Sequence, residues 1–276
     1  MLNTIISMLN RSLFFIAVLI SSITVVAQTK EEEKVFSLGI IRQLHSVELN
    51  ENRTLNIYLP ESFHKDSSYP VIYLLDGSAD EDFIHVAGLV QFYNFPWVNV
   101  LPKSIVVGIA NVDRRRDFTF HTTIEKDKKD FPTTGGSEKF IRFIEKELQP
   151  YINKSFKTTG NNMLIGQSLG GLLATEVLFK KPELFSQYVI VSPSLWWDNE
   201  SLLKAKVEPF KKKIGIYIAV GKEGKLMEED AKALSDLLKT KLTNGTIQFE
   251  YISNKEHGNI FHQAVANAFE FFGEKK

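Results

Sequence analysis

The run Gly166-Gln-Ser-Leu-Gly170 lies between a short apolar, strand-like segment at 162–165 and an apolar segment in which Leu172, Leu173, Val177 and Leu178 recur at helical spacing. A serine so placed constrains the fold more than any other feature of the chain. It must occupy the tip of a tight strand-to-helix turn, in strained backbone, and small neighbours such as Gly166 and Gly170 leave room for that turn. Gly171 adds slack where the helix starts. The helix N-terminus behind Ser168 supplies unpaired N–H groups and a positive dipole end, the environment an oxyanion needs. Ser168 is thus a candidate nucleophile; the alternative is a Gly-rich β–α turn bearing a solvated serine.

The remaining chain alternates strand and helix patterns. Residues 40–49 and 53–59 alternate loosely around Asn50-Glu51-Asn52 and predict an antiparallel hairpin. Short apolar runs at 71–75, 104–109, 162–165, 188–191, 214–220 and 247–252 predict strands covered on both faces. Segments 138–148, 172–179, 227–242 and 261–272 each carry an apolar stripe opposite charges and predict helices. The expected architecture is α/β: a mostly parallel sheet with an antiparallel N-terminal hairpin and helices on both faces. Residues 113–135 and 193–213 fit neither pattern, follow strand ends, and are expected to wall the crevice or to be plain surface elaboration.

The 276 residues carry no net formal charge and 43% hydrophobic residues, enough for one sizeable core. Lysines are spread among acids without a long basic block, so nothing in the sequence points to nucleic acid. At the N-terminus the apolar stretch LFFIAVLI follows Arg11 and precedes SSITVVAQ, with Val25 and Ala27 at the small positions of a cleavage site before Gln28. Residues 1–27 are expected to be a signal peptide, and 28–276 the mature domain. The apolar stretch is short for a bilayer span, so no stable membrane anchor is expected after cleavage. The location expected is periplasmic or secreted. Cysteine is absent, which excludes disulfides, thiolate zinc sites and a cysteine nucleophile.

A serine hydroxyl needs a base, usually a histidine held by a carboxylate. In sheet folds carrying this elbow the chain order is serine, acid, histidine, which removes His45, His64, His85 and His121. His257, in the loop after the last strand, is the candidate base; His262, in the last helix pattern, is the alternative. Glu223 is the first carboxylate after the strand ending at Val220-Gly221 and is the candidate acid. Glu228, Glu229, Asp230 or a Ser-His dyad are the alternatives. The oxyanion donors expected are the N–H of Leu169 and that of Gly77 or Ser78, with Asp76 bracing their loop.

Taken in order, YPVIYLLDG, IVVGIANVDRRRDFT, GGSEKFIRFIEKELQPYI, IGQSLGGLLA and SPSLWW resemble an esterase family of α/β hydrolases. That family includes S-formylglutathione hydrolases, feruloyl and acetylxylan esterases, and enterobactin-type siderophore esterases. The likeness runs from about Leu38 to the end, and LLDG and RRRDFT are most similar to the siderophore-esterase branch. It implies an α/β-hydrolase fold, catalytic Ser168 and His257, and an acid position at Glu223, where other branches more often have aspartate. Arg116 could hold an anionic substrate or pin its loop to Asp117. Trp196 and Trp197 could stack on an aromatic acyl group or sugar, or pack in the core. The expected activity is a serine carboxylesterase working through an acyl-enzyme, with no metal or organic cofactor, on a small-molecule or glycan ester. A siderophore-type ester is the first reading, a polysaccharide acetyl or feruloyl ester the second, and a non-catalytic binding module the third. Oligomeric state is not legible.

Overall fold

The computed structural model describes residue 5 and residues 32–273; apart from residue 5, the expected signal peptide and its cleavage site lie outside the described residues. The chain divides into two compact units, Met1–Ser37 and Leu38–Lys276, and the second carries the fold. Its eight strands are β1 (Ile40–Ser46), β2 (Glu51–Tyr58), β3 (Tyr69–Leu74), β4 (Ile105–Ile109), β5 (Thr158–Gln167), β6 (Gln187–Val191), β7 (Ile214–Gly221) and β8 (Gly245–Ile252). They form one sheet in the order β1-β2-β4-β3-β5-β6-β7-β8. β2 pairs antiparallel with both β1 and β4, and every other pairing is parallel. The hairpin turn falls at 47–50, earlier than expected. There the carboxylate of Glu147 accepts the N–H groups of Val47 and Glu48.

Period-two alternation divides the central strands between two cores. Val71, Tyr73, Val107, Leu164, Ile190 and Ile218 face one; Ile72, Leu74, Val106, Ile165, Val189 and Ala219 face the other. All twelve are almost fully buried, which is why these runs read as continuously apolar. The second core is closed by α1 (Phe83–Tyr93), and α2 (Arg114–Phe118) and α3 (Glu125–Asp130) follow in the stretch without a sequence assignment. The first core is covered by α4 (Ser137–Phe143), and a π-helical segment, Ile144–Leu148, leads on into α5 (Gln149–Ser155). Pro150 stands in the first turn of α5, so the helix continues past the end expected at 148.

After the elbow comes α6 (Leu169–Lys180), buried from Leu169 through Leu178. It has no charged outer face: Glu176 is buried and meets Lys180 Nζ at 2.6 Å. The short segment α7 (Trp197–Glu200) is broken by left-handed Asp198 and Asn199. Lastly, α8 (Lys225–Lys241) covers the first core and α9 (Phe261–Gly273) the second. Among the described residues no helix is long and apolar enough to cross a membrane.

On α8, Asp230 is buried, and burial together with the charges of Glu200 and Glu229 pushes its carboxyl up to about 6. A carboxyl raised by folding binds protons more readily in the native state. Its destabilising effect is therefore absent below the unfolded value and complete above the folded one. Asp230→Asn should raise stability by roughly 1–2 kcal/mol at pH 8 and leave it unchanged near pH 4, in urea denaturation at each pH. A gain of the same size at both values would mean the side chain acts through packing rather than charge.

Candidate active site

Strand order reverses beside β3, whose neighbours are β4 and β5, and a crevice opens at the carboxyl ends there. Ser168 stands at the end of β5 with φ 59° and ψ −120°, a conformation L-residues avoid. Three backbone bonds hold it: its N–H donates to Val191 O at 3.0 Å, and its carbonyl accepts from Leu172 at 2.9 Å and Ser194 at 3.0 Å. A Cβ on Gly166 would lie 2.4 Å from Gly170 O, so that glycine is required by close approach. At Gly171 the constraint is packing against Pro193 and Val191, 3.0 Å away, rather than slack. Gly170 has ordinary contact distances.

The loop after β7 brings Glu223 to the loop that follows β8. Glu223 Oε2 lies 2.6 Å from His257 Nδ1, and Oε1 accepts from Ser192 Oγ at 2.5 Å and the Gly221 N–H at 3.0 Å. The carboxylate is 2% exposed and the imidazole 47%. Burial pushes the Glu223 carboxyl up, but the bonds from His257, Ser192 and Gly221 together outweigh it and hold it below the ordinary glutamate value. Two further contacts tie the histidine loop down: Gln167 Nε2 donates to His257 O at 2.6 Å, and the Lys222 N–H to Lys255 O at 2.6 Å.

Ser168, Glu223 and His257 line one cavity of about 460 Å³, with Ser194, Trp196 and Lys222 among the other walls. The Ser168 hydroxyl bonds Ser194 Oγ at 3.3 Å rather than the imidazole. With Nδ1 engaged by Glu223, Nε2 is the nitrogen that can take a proton.

The alternatives to these residues have other partners. His262 Nε2 lies 3.5 Å from Asp82 Oδ1 and its ring stacks on His85, centroids 3.6 Å apart. Glu228 accepts the N–H groups of Glu223 and Gly224 at 3.0 Å each, Glu229 meets Lys225 at the surface, and Asp230 is buried on α8.

Several expectations require correction. The Gly77 N–H is donated to Ile109 O at 3.0 Å and is not free for an oxyanion. Gly77 serves packing instead, because a Cβ there would lie 2.4 Å from Gly108 Cα. The Ser78 N–H also has a partner, Glu81 Oε2 at 3.3 Å, but a side chain rather than a strand carbonyl. Leu169 opens α6 at the elbow, where the first amides of a helix have no partner within it. Trp197 is fully buried and its indole N–H donates to Phe120 O at 3.0 Å, so it belongs to the core. Trp196 is the tryptophan on the cavity wall.

Arg116 is committed elsewhere. It holds Glu51 through two nitrogens at 2.7 and 3.0 Å and Asp117 at 2.7 Å. Asp117 is buried against Arg53, so Arg116 braces its loop to β2, while Lys222 lines the cavity. The arginine beside the elbow is Arg114, which clamps Asp76 at 2.6 and 3.0 Å and donates to Gln167 O at 3.2 Å. Arg116→Ala should lower stability by about 1–2 kcal/mol and reduce turnover of anionic and neutral esters alike. Thermal unfolding and paired kinetics test this, and a tenfold greater KM penalty for the anionic ester would restore the clamp. Among the described residues no three His, Asp or Glu side chains are grouped to hold a metal ion.

This sheet, with its strand order and a serine elbow at the switch point, defines an α/β hydrolase. The profile of the family described as "Putative esterase" matches residues 46–269, and the chain belongs to that family. It is 31% identical over 249 residues to the ferri-bacillibactin esterase BesA of Bacillus subtilis (strain 168), covering 80% of this chain and 86% of that protein. Two solved structures superpose with TM-scores of 0.77. The BES protein from Bacillus cereus is 28% identical, with 88% of this chain and 99% of that chain covered. An IroE-like serine hydrolase from Shewanella oneidensis is 30% identical, with 86% and 80% covered.

Proposed function

We propose that this chain is a serine carboxylesterase whose catalytic residues are Ser168, His257 and Glu223. The observation that carries the reading is the buried Glu223 carboxylate bonded to His257 Nδ1 on the same cavity as the strained Ser168. In this mechanism Ser168 Oγ turns from Ser194 toward His257, gives its proton to Nε2 and attacks the ester carbonyl. The C–O bond to the alcohol breaks as His257 returns the proton to the leaving oxygen, and an acyl-enzyme remains. Water, deprotonated by His257, then releases the acid and restores Ser168. The Leu169 N–H and that of Ser78 hold the tetrahedral oxyanion, the latter after leaving Glu81.

A siderophore-type ester is the substrate class we favour, supported by the 31% identity to a ferri-bacillibactin esterase. Trp196 offers the acyl group an aromatic wall, and Lys222 offers an anionic group a cation. The export signal read at residues 1–27 supports a periplasmic or secreted enzyme. The deciding experiment assays the purified mature chain on short p-nitrophenyl esters, acetylated xylan, methyl ferulate and a tricatecholate trilactone siderophore. The highest kcat/KM should fall on the siderophore. A higher value on the xylan or the ferulate would transfer the reading to carbohydrate esters, and no turnover of any would favour a binding module.

A further inference from the structure

The first serine of SPSLWW is given no role by the sequence reading, yet its surroundings are tightly constrained. Ser192 follows β6, is fully buried, and holds a φ of 43°, in the left-handed region that favours glycine. Its N–H donates to Ala219 O at 2.7 Å, which ties it to β7. Its hydroxyl reaches Glu223 Oε1 at 2.5 Å. A glycine would take this backbone shape with less strain, so a serine here spends conformational energy to present a hydroxyl.

That hydroxyl meets a particular need. Glu223 Oε2 is taken by His257, and Oε1 receives Ser192 and the Gly221 N–H. With the side chain 2% exposed, solvent has little access to replace a lost donor. The backbone bond at 3.0 Å alone leaves the carboxylate free to pivot about that contact; the second donor fixes the plane of the group and with it the ring of His257.

We infer that Ser192 is a positioning residue, which holds the buried Glu223 carboxylate aimed at His257 so that the imidazole can serve Ser168. The inference rests on the triad reading.

The test pairs two substitutions that separate the hydroxyl from the backbone. Ser192→Ala removes the hydroxyl and keeps the strain, whereas Ser192→Gly removes both. Both variants should lose about tenfold in kcat with KM within about twofold, because the interaction acts on the reaction rather than on binding. Ser192→Gly should match or exceed the wild-type melting temperature. In ¹³C-detected titrations the Glu223 carboxyl of both should titrate at higher pH than in the wild type, a signature that loss of packing would not produce. On a Glu223→Gln background, Ser192→Ala should cost less than about twofold more.

Wild-type kcat in Ser192→Gly overturns the inference, as does a full additional loss in the double variant. Full activity in both Ser192 variants, with activity lost in Glu223→Gln, overturns this inference alone. Retained activity in Glu223→Gln overturns the triad reading and this inference with it.

Discussion

Replacing Ser168 with alanine should remove essentially all ester hydrolysis, a fall of roughly 10⁴-fold or more in kcat, with the fold retained. A fluorophosphonate should modify the wild-type chain at one serine, and peptide mass spectrometry should locate it at Ser168. Only a serine with a base in reach and amide donors beside it attacks such a reagent quickly. The control that matters most is Ser194, whose hydroxyl lies 3.3 Å from that of Ser168. It shares the cavity but stands outside the elbow, with its N–H spent on the Ser168 carbonyl. Labelling at Ser194 would discard the elbow assignment. The alanine should be tolerated structurally because the backbone bonds that hold position 168, to Val191, Leu172 and Ser194, do not involve its side chain.

The second large effect belongs to the base. His257→Ala should lower kcat by several orders of magnitude, and His262→Ala should change it by less than about threefold. Both histidines follow the elbow in the chain, but only His257 lines the cavity, while His262 stacks on His85 beside Asp82. Comparable losses in the two variants would refute the choice. Glu223→Gln should cost less than the histidine change, since a carboxamide keeps the side chain's size and loses the charge that stabilises an imidazolium.

The same carboxylate makes a pH prediction for stability. Glu223 is held below the ordinary glutamate value, so its contribution is complete above the unfolded value and is lost as pH falls through the folded one. Unfolding measured at decreasing pH should show the wild type losing its advantage over Glu223→Gln in that range. An advantage that persisted at the lowest pH would mean that the charge is not its source.

Much of this molecule is legible in the chain because the signals are local. Eight strands are readable as apolar or alternating runs: burial on two faces demands consecutive apolar residues in the interior strands, while β1 and β8, at the sheet edges, are only partly buried and alternate. The elbow, and Glu223 and His257 as the proposed acid and base after it, follow from residue type and chain order. α1 escapes the same reading because FIHVAGLVQFY has no charged face to set against its apolar one. The continuation through Pro150 escapes because a proline in a first turn and a proline that ends a helix look alike in sequence.

What the sequence by itself determined was the order of the strands, the helices that carry an apolar stripe opposite charges, and the turn at Ser168, all properties of neighbouring residues. Only the tertiary structure decided how polar groups are shared. Three adjacent arginines look equivalent, yet Arg116 is claimed by Glu51, 65 positions away, Arg114 by Asp76, 38 away, and Arg115 lies 5.2 Å from the Phe131 ring centre. The Gly77 N–H goes to Ile109, Trp197 and Trp196 part between core and cavity, and Ser192 finds Glu223 across 31 residues. Most buried donors and acceptors find a partner, and which partner that is depends on the strands and loops the sheet brings together.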